Sequence, residues 1–172
     1  MSMVQQNDED LLDRLRTHEV EFVIIGGLCV VIHGAPMVTK DVDICCRFGS
    51  ENLRRLEAAV KDLHPVHRMT PNDLPFELND WMCANLKNVY LRTDLGLLDC
   101  LSEVTGVGGY EDALRLSTPC LSGRFRMLNL DAIIAAKSAA GRQRDIEAVH
   151  WLRSIKERNE QRKTEFRSNY CP

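Results

Sequence analysis

Two aspartates separated by a single valine, Asp41 and Asp43, open the otherwise apolar segment DVDICC. Side chains two positions apart in a β-strand point to the same face, so a strand here would hold the two carboxylates side by side. Adjacent carboxylates repel each other, and a bound divalent cation is the usual relief. The spacing suits two metal ions roughly 3.5–4 Å apart that hold the attacking and leaving oxygens of a transfer reaction. The alternative is a pair of carboxylates solvated at the edge of a sheet.

Two further features of the sequence fit the same chemistry. Asp99 is a lone acid in the apolar segment LLDCL, and a third carboxylate on a neighbouring strand would complete such a site. Gly26 and Gly27 follow an apolar strand and precede a short helical segment. Free backbone N–H groups and the positive end of a helix can hold phosphate at such a position. Each feature is common in other contexts, but together they indicate phosphoryl or nucleotidyl transfer.

Hydrophobic periodicity and turn residues predict the strands and helices that would position these residues. The predicted strands are residues 19–25, 41–48, 87–93 and 95–103, with a hairpin centred on residues 122–123. The predicted helices are residues 8–18, 28–33, 51–63, 130–140 and about 143–160, the third and fourth with N-caps at Ser50 and Asn129. Residues 64–85, which contain several prolines and asparagines, predict a loop with room for one strand.

The last predicted helix has an apolar side that the periodicity assigns to Ile146, Val149, His150 and Leu152. Strands come first in the chain and two helices come last, an order that predicts the α+β class with a short mixed β-sheet and C-terminal helices. We predict a single domain over residues 1–160 and a flexible polar tail over residues 161–172.

Composition excludes several classes of protein. The 172 residues carry a formal net charge of -3, so no global basic field would attract nucleic acid, although a local basic patch could. Seven cysteines without a CxxC pair predict reduced, buried thiols rather than disulfides or a zinc site. The N-terminus is polar and acidic, and the chain has no apolar run of the roughly 18 residues that span a membrane. We therefore expect a soluble cytoplasmic protein without a membrane partner.

The order of these motifs resembles the nucleotidyltransferase superfamily, in which a glycine pair is followed by DxD on the next strand. The finer resemblance is to the minimal, AbiEii-like nucleotidyltransferases that are often encoded as toxins. It covers about residues 19–152, most of the chain. The motifs that carry it are IIGG, His33-Gly34, Thr39-Lys40-Asp41-Val42-Asp43, Asp99, and the segment KSAAGRQRD with Lys137, Arg142 and Asp145.

This resemblance implies a nucleotidyltransferase fold and a role for each matching residue. Asp41 and Asp43 would bind Mg²⁺, with two ions expected, and Asp99 would complete the metal site and help to activate the attacking hydroxyl. The residues implied to bind the nucleotide are Gly26, Gly27, Thr39, Lys40 and Lys137. The implied reaction transfers a nucleoside monophosphate from an NTP to an acceptor hydroxyl and releases pyrophosphate.

The acceptor implied by the toxin-type resemblance is a tRNA or a protein hydroxyl, and an antitoxin would be a further partner. Two alternatives remain open at this point. The chain could be an impaired module that acts by binding a partner, or a transferase that modifies a small molecule such as an antibiotic.

One position departs from the family pattern, because Met37 stands where an arginine commonly precedes the DxD motif. A methionine cannot pair with a phosphate, so another cation would have to replace the arginine. Candidates are Lys40, Arg47 or a residue of the C-terminal helices. For Asp145, a salt bridge to Lys137 or Arg142 that orients these cations is a better interpretation than a chemical role.

Overall fold

The computed structural model describes residues 7–170, with side chains through residue 166. The described helices are α1 Asp8–Thr17, α2 Gly26–Ile32, α3 Ser50–Val60, α4 Asp80–Asn85, α5 Tyr110–Arg115, α6 Leu130–Ala140 and α7 Gln143–Tyr170. The described strands are β1 Phe22–Ile24, β2 Asp41–Cys46, β3 Val66–His67, β4 Asn88–Thr93, β5 Gly96–Leu101, β6 Glu103–Val104, β7 Gly108–Gly109, β8 Ser117–Cys120 and β9 Phe125–Leu128.

Strand β2 lies in the middle of a seven-stranded sheet with the order β3-β4-β5-β2-β1-β9-β8. The sheet is mixed, because β2 is parallel to β5 and antiparallel to β1, whereas β1 is parallel to β9. Strands β6 and β7 form a separate antiparallel pair. The predicted α+β class, the mixed sheet and the C-terminal helices are confirmed.

Alternation along β2 separates its apolar side chains from its carboxylates. Val42 and Ile44 are fully buried, whereas Asp41 and Asp43 on the opposite face are partly exposed. Burial of one such aliphatic side chain stabilises the fold by about 1.5–3 kcal/mol. A shift of one residue in register would exchange the two faces, so the buried pair fixes the direction of the carboxylates.

Three helices lie around the carboxylate side of the sheet. Helix α2 packs on β2 and on α6, and α6 packs on α7. Asn129 caps α6 as predicted, because its side chain accepts a hydrogen bond from the N–H of Ala132 at 2.9 Å. Gly141 ends α6 with a φ of 64°, a left-handed conformation that glycine adopts readily, and the chain then turns into α7.

Several predicted boundaries are wrong. Strand β1 is shorter than residues 19–25, and α2 begins at Gly26 itself, so the glycine pair forms its first turn. Gly49 rather than Ser50 is the N-cap of α3, without a side-chain cap. Helix α4 lies in the segment predicted as a loop, and the side chain of Asn79 caps it by accepting from the N–H of Met82 at 2.8 Å.

The last helix also differs from its prediction. It continues past residue 160 to Tyr170, so residues 161–170 of the predicted flexible tail are helical, and residues 171–172 lie outside the described residues. Its buried positions are Asp145, Ala148, Leu152 and Ile155, whereas Ile146 is 58% exposed. Of the predicted inward residues, Leu152 is buried and Val149 half-buried, whereas Ile146 and His150 are exposed. The prediction was partly wrong because the periodicity could not count a buried acid as part of the inward face.

The cysteines among the described residues are free and buried, as predicted: Cys29, Cys45, Cys46, Cys83, Cys100 and Cys120. Within residues 7–170, no helix combines the length and the apolar character that crossing a membrane requires.

Candidate active site

Three carboxylates meet on two adjacent strands, as the sequence predicts. Strands β2 and β5 pair in parallel with Asp43 opposite Asp99, and Asp41 lies two residues earlier on the same face. One carboxylate oxygen from each residue lies within 4.8 Å of the others. We call Asp41, Asp43 and Asp99 the carboxylate triad.

The triad opens into a cleft of about 350 Å³ between the sheet and the C-terminal helices. Four acids and four bases line the cleft: Asp41, Asp43, Asp99 and Asp145 with Arg68, Lys137, Arg142 and Arg144. The less polar part of the lining includes Gly27, Met37 and Val38. Positive and negative side chains therefore face the same space, an arrangement suited to a ligand that carries phosphates and metal ions.

Positions 26 and 27 require glycine, because their backbone closely approaches the side chains of Asp43 and Thr39. Gly26 has a φ of 61°, and a Cβ at this position would lie 2.0 Å from Oδ2 of Asp43. A Cβ on Gly27 would lie 2.6 Å from Oγ1 of Thr39. The N–H of Gly27 donates to Oδ2 of Asp43 at 3.1 Å, so the start of α2 holds this carboxylate in place. A phosphate-binding role for the two glycines stays a prediction.

Thr39 and Lys40, which were both predicted to bind the nucleotide, differ in their position relative to the cleft. Thr39 lies in the cleft, and its hydroxyl donates to the backbone oxygen of Asp41 at 3.0 Å, with Oδ1 of the same residue at 3.3 Å. Lys40 is exposed and is not among the residues that line the cleft. Thr39 therefore supports the triad, whereas no described contact connects Lys40 with it.

Arg68 is a cleft residue that the sequence analysis missed. It directly follows β3, and its backbone N–H donates to the carbonyl of Tyr90, the cross-strand partner of Asp99. Its guanidinium donates to both carboxylate oxygens of Asp99, with Nε 3.1 Å from Oδ1, and its Nη2 lies 3.8 Å from Oδ2 of Asp41. The two-residue strand β3 that positions it has almost no sequence signal, and no family motif falls in this segment.

The C-terminal helices contribute a second charged cluster to the cleft. Asp145, which is 2% exposed, accepts from Nζ of Lys137 at 2.9 Å and from Nε of Arg142 at 2.8 Å. The predicted orienting salt bridge is confirmed, and it includes both cations. Arg142 and Arg144 line the cleft, and Arg47 lies elsewhere, paired with Glu21 and Glu111. Among the cations that could replace the missing arginine, Arg142 between α6 and α7 and Arg144 on α7 face the cleft.

The environment shifts the pKa of the acids in opposite directions. Burial and the neighbouring Asp41 carboxylate raise the pKa of Asp43 to about 6. Burial also raises the pKa of Asp99, although the hydrogen bonds from Arg68 act in the opposite direction. Burial alone would raise the pKa of Asp145, but the hydrogen bonds from Lys137 and Arg142 outweigh it and lower the pKa. The negative charge of the triad is thus only partly compensated.

The residues of the triad fit a divalent metal ion such as Mg²⁺. The donors are carboxylate oxygens only, which magnesium and manganese prefer over softer metals. They are close enough together to share a cation, with oxygens within 4.8 Å of one another. Burial and, after it, repulsion from Asp41 raise the pKa of Asp43, and a bound cation would offset both effects.

The fold is similar to that of solved antibiotic-modifying enzymes. The crystal structure of ANT(2'')-Ia in complex with adenylyl-2''-tobramycin has 20% sequence identity and a TM-score of 0.54, over 94% of this chain and 95% of that chain. The crystal structure of the lincosamide antibiotic adenylyltransferase LnuA, bound to lincomycin, has 16% identity and a TM-score of 0.57, over 88% and 99%. A solution structure of the antibiotic-resistance factor ANT(2'')-Ia has 17% identity and a TM-score of 0.51, over 94% and 89%.

Comparisons of sequence alone add nothing to this result, since no model of a protein family and no curated protein matches the chain. At 16–20% identity, the similarity to solved structures establishes the fold and leaves the activity to be tested. It extends over 94% and 88% of this chain and over 95% and 99% of the two crystallised proteins. The chain therefore has the nucleotidyltransferase fold.

Proposed function

We propose that the chain is a metal-dependent nucleotidyltransferase that transfers a nucleoside monophosphate from an NTP to a hydroxyl group of a small molecule. The observation that carries the proposal is the carboxylate triad, placed on two parallel strands at the wall of a cleft with four cationic side chains. The nucleotidyltransferase fold supports the same chemistry, because solved proteins of this fold include an adenylyltransferase.

The triad would hold the metal, and the remaining cleft residues would bind the nucleotide. Bound Mg²⁺ would supply positive charge that neutralises the triphosphate as negative charge develops on the leaving group. Lys137, Arg142 and Arg144 face the same space and would contact phosphate oxygens. Gly26 would place its backbone N–H beside the triphosphate, Gly27 would hold Asp43 through its own N–H, and Thr39 would keep Asp41 in position.

The transfer itself is a substitution at the α-phosphorus. A bond forms between the acceptor oxygen and the α-phosphorus while the bond from that phosphorus to the bridging oxygen breaks, and pyrophosphate leaves. Asp99, with its raised pKa and its position facing the cleft, would accept the proton of the attacking hydroxyl. Asp41 and Asp43 would serve as metal ligands.

A small-molecule acceptor is better supported than the tRNA or protein acceptor implied by the toxin-type resemblance. One neighbour in fold was solved with an adenylylated tobramycin and another with lincomycin, both of them antibiotics. Nothing in the comparisons supports a toxin activity or an antitoxin partner, and the AbiEii-like subtype stays a prediction. The cleft volume of about 350 Å³ also falls in the range of small-molecule pockets, roughly 300–1,000 Å³.

The alternative of an impaired binding module depends on Met37, which cannot pair with a phosphate. Met37 lines the cleft, but Arg68, Arg142 and Arg144 line it as well. The cleft therefore offers arginine side chains to a triphosphate without an arginine at position 37. This observation favours an active enzyme.

Calorimetric titration of ATP, GTP, CTP and UTP with Mg²⁺ would test the proposal. The wild-type chain should bind at least one NTP only when Mg²⁺ is present. The double variant Asp41→Asn with Asp43→Asn should lose this binding, because it removes two of the three metal ligands. Asp80→Asn is a matched control, since it removes one carboxylate that is fully exposed on the surface. Its nucleotide affinity should equal that of the wild type.

Label transfer from the bound NTP identifies the acceptor class. Incubation with separate sets of aminoglycosides, lincosamides, total tRNA and purified proteins should label a small molecule and release pyrophosphate in equal amount. Labelled tRNA or protein, without a labelled small molecule, would contradict the proposed acceptor and leave the transferase chemistry intact. Absence of metal-dependent NTP binding in the wild type would overturn the enzyme proposal itself.

A further inference from the structure

We propose that Arg68 is an internal counter-ion of the carboxylate triad, which competes with the divalent metal and moves to the phosphates of the nucleotide when the metal binds. This inference rests on the proposed function, and it assigns Arg68 a positioning role in the same cleft. The sequence gives no indication of it, because Arg68 belongs to none of the motifs that carry the family resemblance.

The guanidinium occupies the place where a cation would bridge two carboxylates. Nε and Nη2 of Arg68 donate to the two oxygens of Asp99, and Nη2 lies 3.8 Å from Oδ2 of Asp41. One nitrogen therefore lies between the two carboxylates, whose ligand oxygens are within 4.8 Å of each other. A metal ion that used the same oxygens would meet both the volume and the positive charge of the guanidinium.

The other cations of the cleft have a different attachment. Lys137 and Arg142 both pair with Asp145, which is an acid outside the triad. Arg144 lines the cleft, and none of its contacts among the described residues reaches the triad. Arg68 is thus the cleft cation whose observed partners are the predicted metal ligands, and its charge is the one that metal binding would displace.

Electrostatics favour Arg68 at the triad when no metal is bound, and they favour its replacement by a divalent metal ion when one is present. Asp41 and Asp99, two of the three carboxylates, face the Arg68 guanidinium before the metal binds, and this guanidinium limits their mutual repulsion. A divalent cation supplies twice the charge of a guanidinium to the same oxygens, so it can displace Arg68. The released guanidinium would then face a cleft that contains a triphosphate, for which its planar, bidentate donors are well suited.

The attachment of Arg68 permits such a movement. Its side chain is 27% exposed, and its residue lies directly after a two-residue strand rather than inside a long element. The backbone N–H stays fixed by its hydrogen bond to the carbonyl of Tyr90, and the guanidinium lies 5.8 Å from the centre of the Tyr90 ring. The side chain can therefore rotate into the cleft while the backbone remains on the sheet.

The test is Mn²⁺ binding in the absence of nucleotide, measured by calorimetry on Arg68→Met, Arg68→Lys and Arg144→Met. Arg144→Met is the matched control, because it removes the same charge from the cleft without touching the triad. Arg68→Met should bind Mn²⁺ about tenfold more tightly than the wild type, the value of one strong charge-assisted contact. Arg144→Met should change the affinity by less than about threefold, and Arg68→Lys should lie between the two.

A second titration follows the proposed movement to phosphate. With Mn²⁺ saturating, Arg68→Met should bind a non-hydrolysable NTP analogue about tenfold more weakly than the wild type, since it lacks the released guanidinium. Equal Mn²⁺ affinities for Arg68→Met and Arg144→Met would overturn the inference and leave the metal site of the proposed function in place. Absence of Mn²⁺ binding in the wild type and in every variant would overturn the metal site, and the inference with it.

Discussion

Two acidic clusters share one cleft and differ in how their charge is compensated. Asp145 is 2% exposed and accepts from both Lys137 and Arg142, so its pKa is lowered in spite of its burial. In the carboxylate triad, Asp43 and Asp99 keep raised pKa values, although Arg68 contacts Asp99. The same kind of side chain is therefore fully paired in one cluster and underpaired in the other.

This difference fits a structural role for Asp145 and the proposed metal-binding role for the triad. Asp145 connects α6 to α7 and fixes two cations at the edge of the cleft. Its two hydrogen bonds from Lys137 and Arg142 are sufficient for this role. The triad carries more negative charge than its neighbours neutralise, a state that costs stability and persists where a ligand uses it. The buried side of β2 keeps that charge in place, since Val42 and Ile44 cannot leave the core.

Removal of the paired acid should give the largest loss of stability. Asp145→Asn leaves Lys137 and Arg142 without their carboxylate, and we expect the free energy of unfolding to fall by about 3 kcal/mol, at the low end for a broken buried ion pair. Chemical denaturation at pH 7 measures it. Asp131→Asn is the control, because the exposed pair Asp131–Lys156 also connects α6 to α7. Its loss should cost less than about 1 kcal/mol.

The pH dependence of this variant has a defined sign. The folded-state pKa of Asp145 is lowered below its ordinary value of 3.8, so the stability it contributes is present above that value and is lost as the pH falls below it. The difference between wild type and Asp145→Asn should therefore shrink below about pH 4. A difference that stayed constant down to pH 3 would mean that the ion pair contributes little.

The carboxylate triad could be predicted from the sequence more completely than the residues around it. Period-two alternation sufficed to put Asp41 and Asp43 on one face, and a lone acid in an apolar strand identified Asp99. Arg68 depends on the pairing of a two-residue strand with β4, a tertiary contact without a local signal. The inward face of α7 was missed because Asp145, a buried acid, is polar in any hydrophobic pattern and is buried only through its two partners.

Crowding at Gly26 offers a second test of the difference between the carboxylate triad and the Asp145 cluster. Gly26→Ala should cost about 2 kcal/mol of stability and weaken Mn²⁺ binding about tenfold, because a left-handed residue gains a Cβ that displaces the Asp43 carboxylate. Gly141→Ala has the same left-handed strain with a φ of 64°, but its Cβ would meet only Ser138 O at 4.0 Å. We expect this control to cost about 1 kcal/mol and to leave Mn²⁺ affinity unchanged. Equal Mn²⁺ affinities for the two variants would contradict the contact between Gly26 and the triad.

Neutralisation of Asp43 should change the free energy of unfolding in the opposite direction to neutralisation of Asp145. In metal-free buffer at pH 7.5, Asp43→Asn should raise the free energy of unfolding by about 1 kcal/mol, because it removes a desolvated charge next to Asp41. The folded-state pKa is raised from 3.8 to about 6, so the wild type loses stability as the pH rises through this window. The advantage of the variant should vanish near pH 4. Thermal unfolding with a chelator at both pH values measures it, and a variant less stable than the wild type at pH 7.5 would contradict the underpaired state of the triad.

The smallest effect is expected at Lys40, a cation that the family resemblance assigns to the nucleotide but that lies exposed and outside the cleft lining. Lys40→Ala should change stability by less than about 0.5 kcal/mol and NTP affinity by less than about twofold. Lys137→Ala is the comparison, since Lys137 lines the cleft with a side chain that is 14% exposed and pairs with Asp145. Its removal should weaken NTP binding about tenfold, the value of one charge-assisted contact to phosphate. A large loss at Lys40 with a small loss at Lys137 would contradict this assignment and would mean that the nucleotide binds beside Lys40, outside the cleft.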